Sequence, residues 1–388
     1  MKIGTIYTLY GRRAGAELYF EKILNGLLQK YPAISFIIFC NEEAYHALPE
    51  DGPRLKKRVI KWLNNQFLKT LWLELFSKKI VEKESADVFW IHSGTNNFPG
   101  KWVIPAVVTF HDLGEYFVKN KYDFLRTFYR KVICIPRSIR RAAVITAVSN
   151  TTANDLKSIF NLKKFPLVIY SGSSPREKEA GSFNDSPVEV IEKETSIHLD
   201  QIIYCPGRTD YEGKGLDLIL KAYKQFNLKT KDAPPLVLSG PRGIKHEKFE
   251  RDIRKLQLKN KVYWLGRVSN RCVEALYQIS KMVIIASRYE GFGFPVLEAM
   301  QQRVPVICST AGALPETAGD AALFFKTGDT SDLLRCMFLL HQNDDLKKRL
   351  VEAGESRLKE FNWETTFSQM HKIFLSIGTR KETNDMTF

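Results

Sequence analysis

The stretch Arg288-Tyr289-Glu290-Gly291-Phe292-Gly293-Phe294-Pro295-Val296-Leu297-Glu298-Ala299-Met300 follows directly on the apolar run 282–286. It reads as a buried strand, a glycine-bearing turn and a helix that begins near Pro295, since proline is favoured in a first helical turn. Such a turn lets backbone N–H groups approach an anion, and the helix dipole adds to the attraction. Glu298 falls about one turn into the helix, so Glu290 and Glu298 bracket the loop. Two carboxylates beside an anion-friendly turn suit the neutral hydroxyls of a sugar or ribose, for which carboxylates are strong acceptors. The plainer alternative stays open: Glu290 as a loop surface charge and Glu298 as compensation of the helix dipole.

The same strand-turn-helix alternation runs through the chain. Runs 3–9, 35–40, 88–92, 106–110 and 144–148 read as buried strands, and a second series follows at 202–205, 236–239, 262–265, 282–286, 304–308 and 322–325. Strands alternating with helical stretches argue for parallel sheets with helical crossovers. The polar stretch 173–196 between the series lacks apolar periodicity and reads as a linker. The expected organisation is an N-terminal Rossmann-like domain at 1–173, a linker or surface loop at 174–200, a second such domain at 201–361, and a C-terminal helix that crosses back, with a polar tail, at 362–388. Helical pattern in that tail extends to Phe374, and the last ten or so residues are expected to be disordered.

A second loop, Pro206-Gly207-Arg208-Thr209-Asp210-Tyr211-Glu212-Gly213-Lys214-Gly215, follows the run 202–205. It resembles a phosphate cradle but lacks the Gly-Lys-[Ser/Thr] ending of a Walker loop. A guanidinium and an ammonium converging on a diphosphate would neutralise charge building on a departing nucleotide. Taken alone, basic loop residues are more often solvated than catalytic.

With these residues in view, the chain resembles glycosyltransferase family 4, retaining enzymes of the GT-B fold. Glu290 to Glu298 matches the family's E-x7-E element, and Arg208 to Lys214-Gly215 its Arg-x5-Lys-Gly element, in the right order. Ser239-Gly240, Leu265-Gly266-Arg267-Val268, Pro305-Val306-Ile307, Leu314-Pro315-Glu316 and Phe361-Asn362-Trp363 extend the match through the second half. In the first half it rests on Gly15, His111-Asp112, Val148-Ser149 and the stretch 168–172. The resemblance implies an α/β fold with two Rossmann-like, doubly wound parallel-sheet domains facing a central cleft. It implies that Glu298 holds the donor ribose, that Glu290 holds the donor sugar, and that Arg208 and Lys214 hold the diphosphate. Gly291, Phe292, Gly293 and Phe294 would supply backbone contacts, while Gly240, Arg267 and Val268 would border the nucleobase. His111 would sit near the reacting sugar, with Gly15 and Asp112 on the acceptor side. The catalytic set is then Glu290, His111, Arg208 and Lys214. An isolated strand-end histidine is more often satisfied by backbone, which is the reading for the other six histidines. Gly15-Ala16 departs from the family's usual glycine pair, and Gly11-Arg12-Arg13 is unusually basic.

The implied activity is transfer of a sugar from a nucleotide diphosphate donor, a UDP-sugar before GDP-mannose, to a glycan or lipid-linked acceptor. No cofactor and no metal are expected, because Arg208 and Lys214 already supply counter-charge and no Asp-x-Asp motif follows a donor-domain strand. Retention by double displacement would need a carboxylate beneath the anomeric carbon. A front-face route is the expectation by resemblance. Two rivals remain: a GT-B epimerase or phosphorylase, and a non-catalytic nucleotide-sugar or polyanion-binding protein of the same fold.

Composition sets the bounds. At 388 residues, 44% hydrophobic and 26% charged, the chain suits two globular domains. Six scattered cysteines form no metal or redox spacing, which points to a reducing, cytoplasmic compartment. No apolar stretch reaches spanning length. The net charge is +15, and residues 1–180 carry 28 basic and 16 acidic side chains, so the excess lies in the first half. The basic, aromatic-rich stretches 54–79 and 119–141 read equally well as membrane-surface helices and as core-facing helices with solvated basic faces. Peripheral association with the inner face of an anionic membrane is therefore an expectation. Nucleic acid is not an expected partner, for want of any recognition motif.

Overall fold

The computed structural model describes residues 1–11, 15–96, 104–118, 121, 123–173 and 185–384. The chain divides into two compact units, Met1–Leu113 with Asp123–Gly172 and Trp363–Phe388, and Gly114–Tyr122 with Ser173–Asn362.

The first unit holds seven parallel strands: β1 Lys2–Tyr7, β2 Ser35–Cys40, β3 Leu55–Val59, β4 Val88–Ile91, β5 Ala106–Phe110, β6 Ala142–Ala147 and β7 Leu167–Val168. Their order is β3-β2-β1-β4-β5-β6-β7. β2, β4 and β5 are buried almost throughout, as expected of strands covered on both faces. The helix Gly15–Lys30 packs Tyr19, Phe20, Ile23, Leu24 and Leu27 into the core. Gly26 makes room on it for the ring of Phe367, which a Cβ would approach to 2.3 Å. Phe367 belongs to the closing helix Trp363–Asn384, and Trp363 at its start lies against Gly172.

The second unit carries β8 Ile202–Pro206, β9 Leu236–Ser239, β10 Val262–Trp264, β11 Ser280–Ile285, β12 Val306–Ser309 and β13 Ala322–Phe325 in the order β10-β9-β8-β11-β12-β13, all parallel. The helices Leu216–Lys229 and Thr330–Gln342 close its core through Tyr223, Phe226, Leu333 and Met337.

Four readings need correction. Residues 54–79 are not one amphipathic helix, because β3 occupies Leu55–Val59 and puts Lys56, Lys57 and Arg58 on the sheet edge. Edge strands tolerate consecutive charges, which is why this one did not read as a strand. The linker assigned at 174–200 contains the helix Pro187–Thr195, started by a Ser186/Glu189 capping box; residues 174–184 lie outside the described residues. The closing helix continues to Asn384 and includes residues expected to be disordered; residues 385–388 are not described. Finally, Gly114–Tyr122 groups with the second unit, where Phe117 stacks on Tyr289 at 4.6 Å between ring centroids.

Candidate active site

In the second sheet the strand order reverses between β8 and β11, and open α/β sheets bind ligands outside the carboxyl ends of the strands at such a point. The loops after these two strands carry the residues singled out in the sequence. Lys214 Nζ donates to Glu290 Oε1 at 2.5 Å, which joins the two loops directly. Ser287 Oγ donates to the same Glu290 oxygen at 2.6 Å. Arg208 is half-buried and ion-pairs with Asp210 on its own loop. Arg208 and Lys214 were expected to converge on one anion; here each sits with a carboxylate.

Glycines set the shape of this corner. Gly215 has φ +64°, and a Cβ there would come within 2.1 Å of the Ala286 carbonyl oxygen. Gly312, at φ +56°, passes equally close under Glu290, where a Cβ would meet its carbonyl oxygen at 2.2 Å. That carbonyl accepts from Ala313 N at 2.9 Å, so the Glu290 backbone is pinned from the β12 side. Arg288 braces the base of the corner with a two-pronged ion pair to Asp217 at 2.8 and 2.7 Å. The Asp217 carboxylate raises the Arg288 pKa further above its ordinary value.

The helix after β11 starts at Phe294, with Gly293 at φ +100° as its cap and Pro295 in its first turn. Helix starts leave amide groups without intrahelical acceptors, a property that favours an anion. Glu298 is half-buried on this helix and accepts from Tyr277 OH at 2.8 Å. Gly291 is buried in the turn. Phe292 differs from expectation: its ring is buried against Phe294 and Phe361, and its carbonyl accepts from Thr317 Oγ1. The Gly293 carbonyl is likewise engaged by Val296 N.

Farther along the sheet, Gly240 follows β9 with φ +136°, and a Cβ there would meet the Gly207 carbonyl oxygen at 2.3 Å. Gly240 N donates to Gly266 O at 2.7 Å, beside exposed Arg267 and half-buried Val268. Trp264 Nε1 donates to Gly240 O at 2.9 Å, and the Arg242 guanidinium lies 5.4 Å from the Trp264 ring centroid.

Ser287, Tyr277, Asp217, Gly312 and Trp264 were not singled out in the sequence. Ser287, three residues before the E-x7-E element, was the one with a local signal.

In the first unit Gly15 opens the helix after β1, while His111 and Asp112 follow β5. His111 Nε2 lies 2.7 Å from the His92 carbonyl. Since a carbonyl only accepts, Nε2 carries the proton and the neutral ring presents Nδ1 as an acceptor. Burial holds the His111 pKa below its ordinary value, against the pull of the His92 carbonyl and Asp112. The Tyr19 ring meets the imidazole edge-on at 5.0 Å.

Two parallel-sheet units of this order, one with its charged loops at the switch point, define the GT-B architecture. The family model "Glycosyltransferase Family 4" matches residues 14–173 and "Glycosyl transferases group 1" matches 189–357. The chain belongs to the GT-B glycosyltransferases. It is 27% identical over 293 residues to the O-antigen chain mannosyltransferase B of Escherichia coli, covering 72% of each chain. Among solved structures, sucrose-phosphate synthase from Thermosynechococcus elongatus superposes with a TM-score of 0.76 at 18% identity, covering 98% of this chain and 99% of the other. HepE from Anabaena, in complex with UDP and glucose, does so with a TM-score of 0.71 at 16% identity, covering 97% and 100%.

Proposed function

We propose that this glycosyltransferase is a retaining, metal-independent hexosyltransferase that takes its sugar from a UDP-sugar and passes it to a glycan or lipid-linked acceptor. The observation that carries the reading is the Lys214–Glu290 pair at the switch point of the second sheet. On this reading the ammonium addresses the diphosphate and the neighbouring carboxylate the sugar hydroxyls. Lys214 and Arg208 supply the counter-charge for a departing nucleoside diphosphate that a metal supplies elsewhere. Glu298, one turn into its helix and oriented by Tyr277, suits ribose hydroxyls. His111, neutral and accepting through Nδ1, suits a sugar hydroxyl better than a phosphate. UDP is preferred because HepE, of the same fold, binds it; the mannosyltransferase relative keeps GDP-mannose as the competing donor. On this reading the proton of the attacking hydroxyl goes to the leaving phosphate on the same face, so no enzyme carboxylate forms a bond to the sugar.

Calorimetric titration with UDP and GDP tests the donor assignment. Lys214→Ala and Glu298→Ala should each weaken binding of the preferred nucleotide by about 1.5 to 3 kcal/mol, the cost of a lost charge-assisted contact. Unchanged affinity in both variants sinks it. Transfer should persist in excess EDTA, and NMR of the product should show the donor's anomeric configuration. An inverted product, or activity restored only by Mg²⁺ or Mn²⁺, overturns that part of the mechanism.

A second element of the proposal is contact with an anionic membrane. Leu68, Leu71 and Leu75 on the helix Gln66–Leu75, and Phe124, Leu125 and Phe128 on the helix Phe124–Phe128, are exposed apolar side chains among basic neighbours. The ion pair of Glu74 with Arg137 joins the first of these helices to the helix Ile135–Arg141. Such surfaces insert into the headgroup zone of a bilayer. Among the described residues no helix is long and apolar enough to cross one.

A further inference from the structure

Glu298 is the sole charged residue on the helix Phe294–Gln301, whose Val296, Leu297, Ala299 and Met300 are buried. Beside it runs the helix Asn270–Gln278, which leads into β11 as the first helix leads away from it. Glu274, Tyr277 and Gln278 stand three and four residues apart and so share one face of that helix. The face meets Glu298 and Gln302. Tyr277 OH donates to Glu298 Oε2 at 2.8 Å, Gln302 Nε2 to Glu274 Oε1 at 3.3 Å, and Gln278 Nε2 to Gln302 Oε1 at 3.4 Å. The two bonds of Gln302 link the helices whatever stands at position 298.

Tyr277 is 1% exposed, and its ring meets the Tyr204 ring edge-on, 4.9 Å between centroids at an interplanar angle of 87°. Tyr204 is itself fully buried on β8, and its hydroxyl is hydrogen-bonded to Ser239 Oγ at the end of β9. The two strands thus hold Tyr204, Tyr204 holds the ring of Tyr277, and the ring so fixed carries its hydroxyl to Glu298. A phenylalanine would supply the same ring packing. The hydroxyl adds an obligation, because a buried O–H without an acceptor is costly. It also gives the carboxylate a direction. A long side chain loses rotamer freedom when a ligand fixes it, and one held in place beforehand binds without that loss.

We infer that Tyr277 is a positioning residue that aims Glu298 at the ribose hydroxyls and so sets the preference for a ribonucleoside over a deoxyribonucleoside diphosphate. The inference rests on the reading that Glu298 addresses the donor ribose. Tyr277 acts through Glu298 rather than on the donor, and a carboxylate has acceptor positions on both oxygens. A site built to bond a hydroxyl rejects the analogue that lacks it, because its own polar groups then go unpaired.

Calorimetry on the full chain compares UDP with 2′,3′-dideoxy-UDP, or the corresponding guanosine pair if the wild type prefers GDP. The wild type should favour the ribonucleotide by about tenfold or more. Tyr277→Phe, which keeps the ring and its packing, should weaken binding of the ribonucleotide about fivefold and leave that of the dideoxy analogue unchanged. Added to Glu298→Ala it should cost nothing further, since both changes act through one carboxylate. Equal weakening of both nucleotides by Tyr277→Phe would assign the hydroxyl to the fold alone, and unchanged affinity for the ribonucleotide would leave it no role in binding; either result overturns the inference. Thermal melts check that each variant folds. If Tyr277→Phe does not, Glu298→Asp decides, because it keeps the charge and draws it back from Tyr277: a lost preference for ribose supports the inference and a retained one overturns it. A wild type indifferent to the ribose hydroxyls, or a Glu298→Ala variant that binds both nucleotides as the wild type does, strikes the donor reading of Glu298 and the inference with it. Failure of the Tyr277→Phe prediction alone leaves that reading standing.

Discussion

His92 shows how burial turns one side chain into a pH response. It is neutral in the folded chain because burial lowers its pKa to about 3, with neighbouring His111 and Lys69 adding to the effect. In the unfolded chain it returns to its ordinary value near 6.5. Between those values the unfolded state holds a proton that the folded state refuses, so stability falls as pH drops below about 6.5. The slope per group approaches about 1.4 kcal/mol per pH unit. His111, also depressed by burial, acts in the same direction. Urea unfolding at a series of pH values should show this acid loss, and His92→Phe should flatten it by close to one proton. An unchanged slope in that variant would place the titrating group elsewhere. In the donor loops, Lys214 pairs with Glu290 at 2.5 Å while both remain partly open to water. Their types were legible in the E-x7-E and Arg-x5-Lys-Gly spacings. Their pairing was not, because 76 residues separate them and only the adjacency of β8 and β11 brings them together.

At the scale of elements, the donor corner depends on three chain passes held in contact by glycine. Gly312 needs a positive φ and leaves no room for a methyl group beneath Glu290. Gly312→Ala should therefore destabilise the chain by more than about 1 kcal/mol and displace Glu290 even in molecules that stay folded. The expected outcome is a loss of transfer larger than the loss of UDP affinity, because Glu290 addresses the sugar and Glu298 the nucleoside. Equal losses in both, or neither, would mean that the loop tolerates the shift. The helix after β11 was readable from Pro295 and the preceding glycines, which act locally. The edge strand β3 and the two-residue β7 were not readable. A strand of sequence LKKRV exists because β2 offers it a partner in parallel register, and its own residues carry no apolar alternation.

For the whole molecule, the basic excess of residues 1–180 meets exposed apolar side chains on the first unit. Each basic group near an anionic surface contributes about 1 kcal/mol, and salt screens it. Sedimentation with anionic vesicles should show binding that falls as salt rises. Charge reversal at Lys56, Lys57, Arg58 and Lys61 should weaken it. Because Lys57 and Arg58 are already engaged by Tyr45 and Glu84, replacing Phe124 and Leu125 with serine should weaken it more. UDP affinity should be untouched in both variants. Indifference of the wild type to anionic vesicles at low salt would end the membrane reading. The alternation of buried strands and helices, the two-domain count and the residue types of the donor loops were determined by the sequence itself, since apolar runs, proline and glycine act on their immediate neighbours. Tertiary structure decided the strand order, the contact between loops far apart in sequence, and the burial of Lys69 and Arg130. Each of these depends on which surfaces meet, and local propensity carries no information about a partner that the chain reaches only after folding.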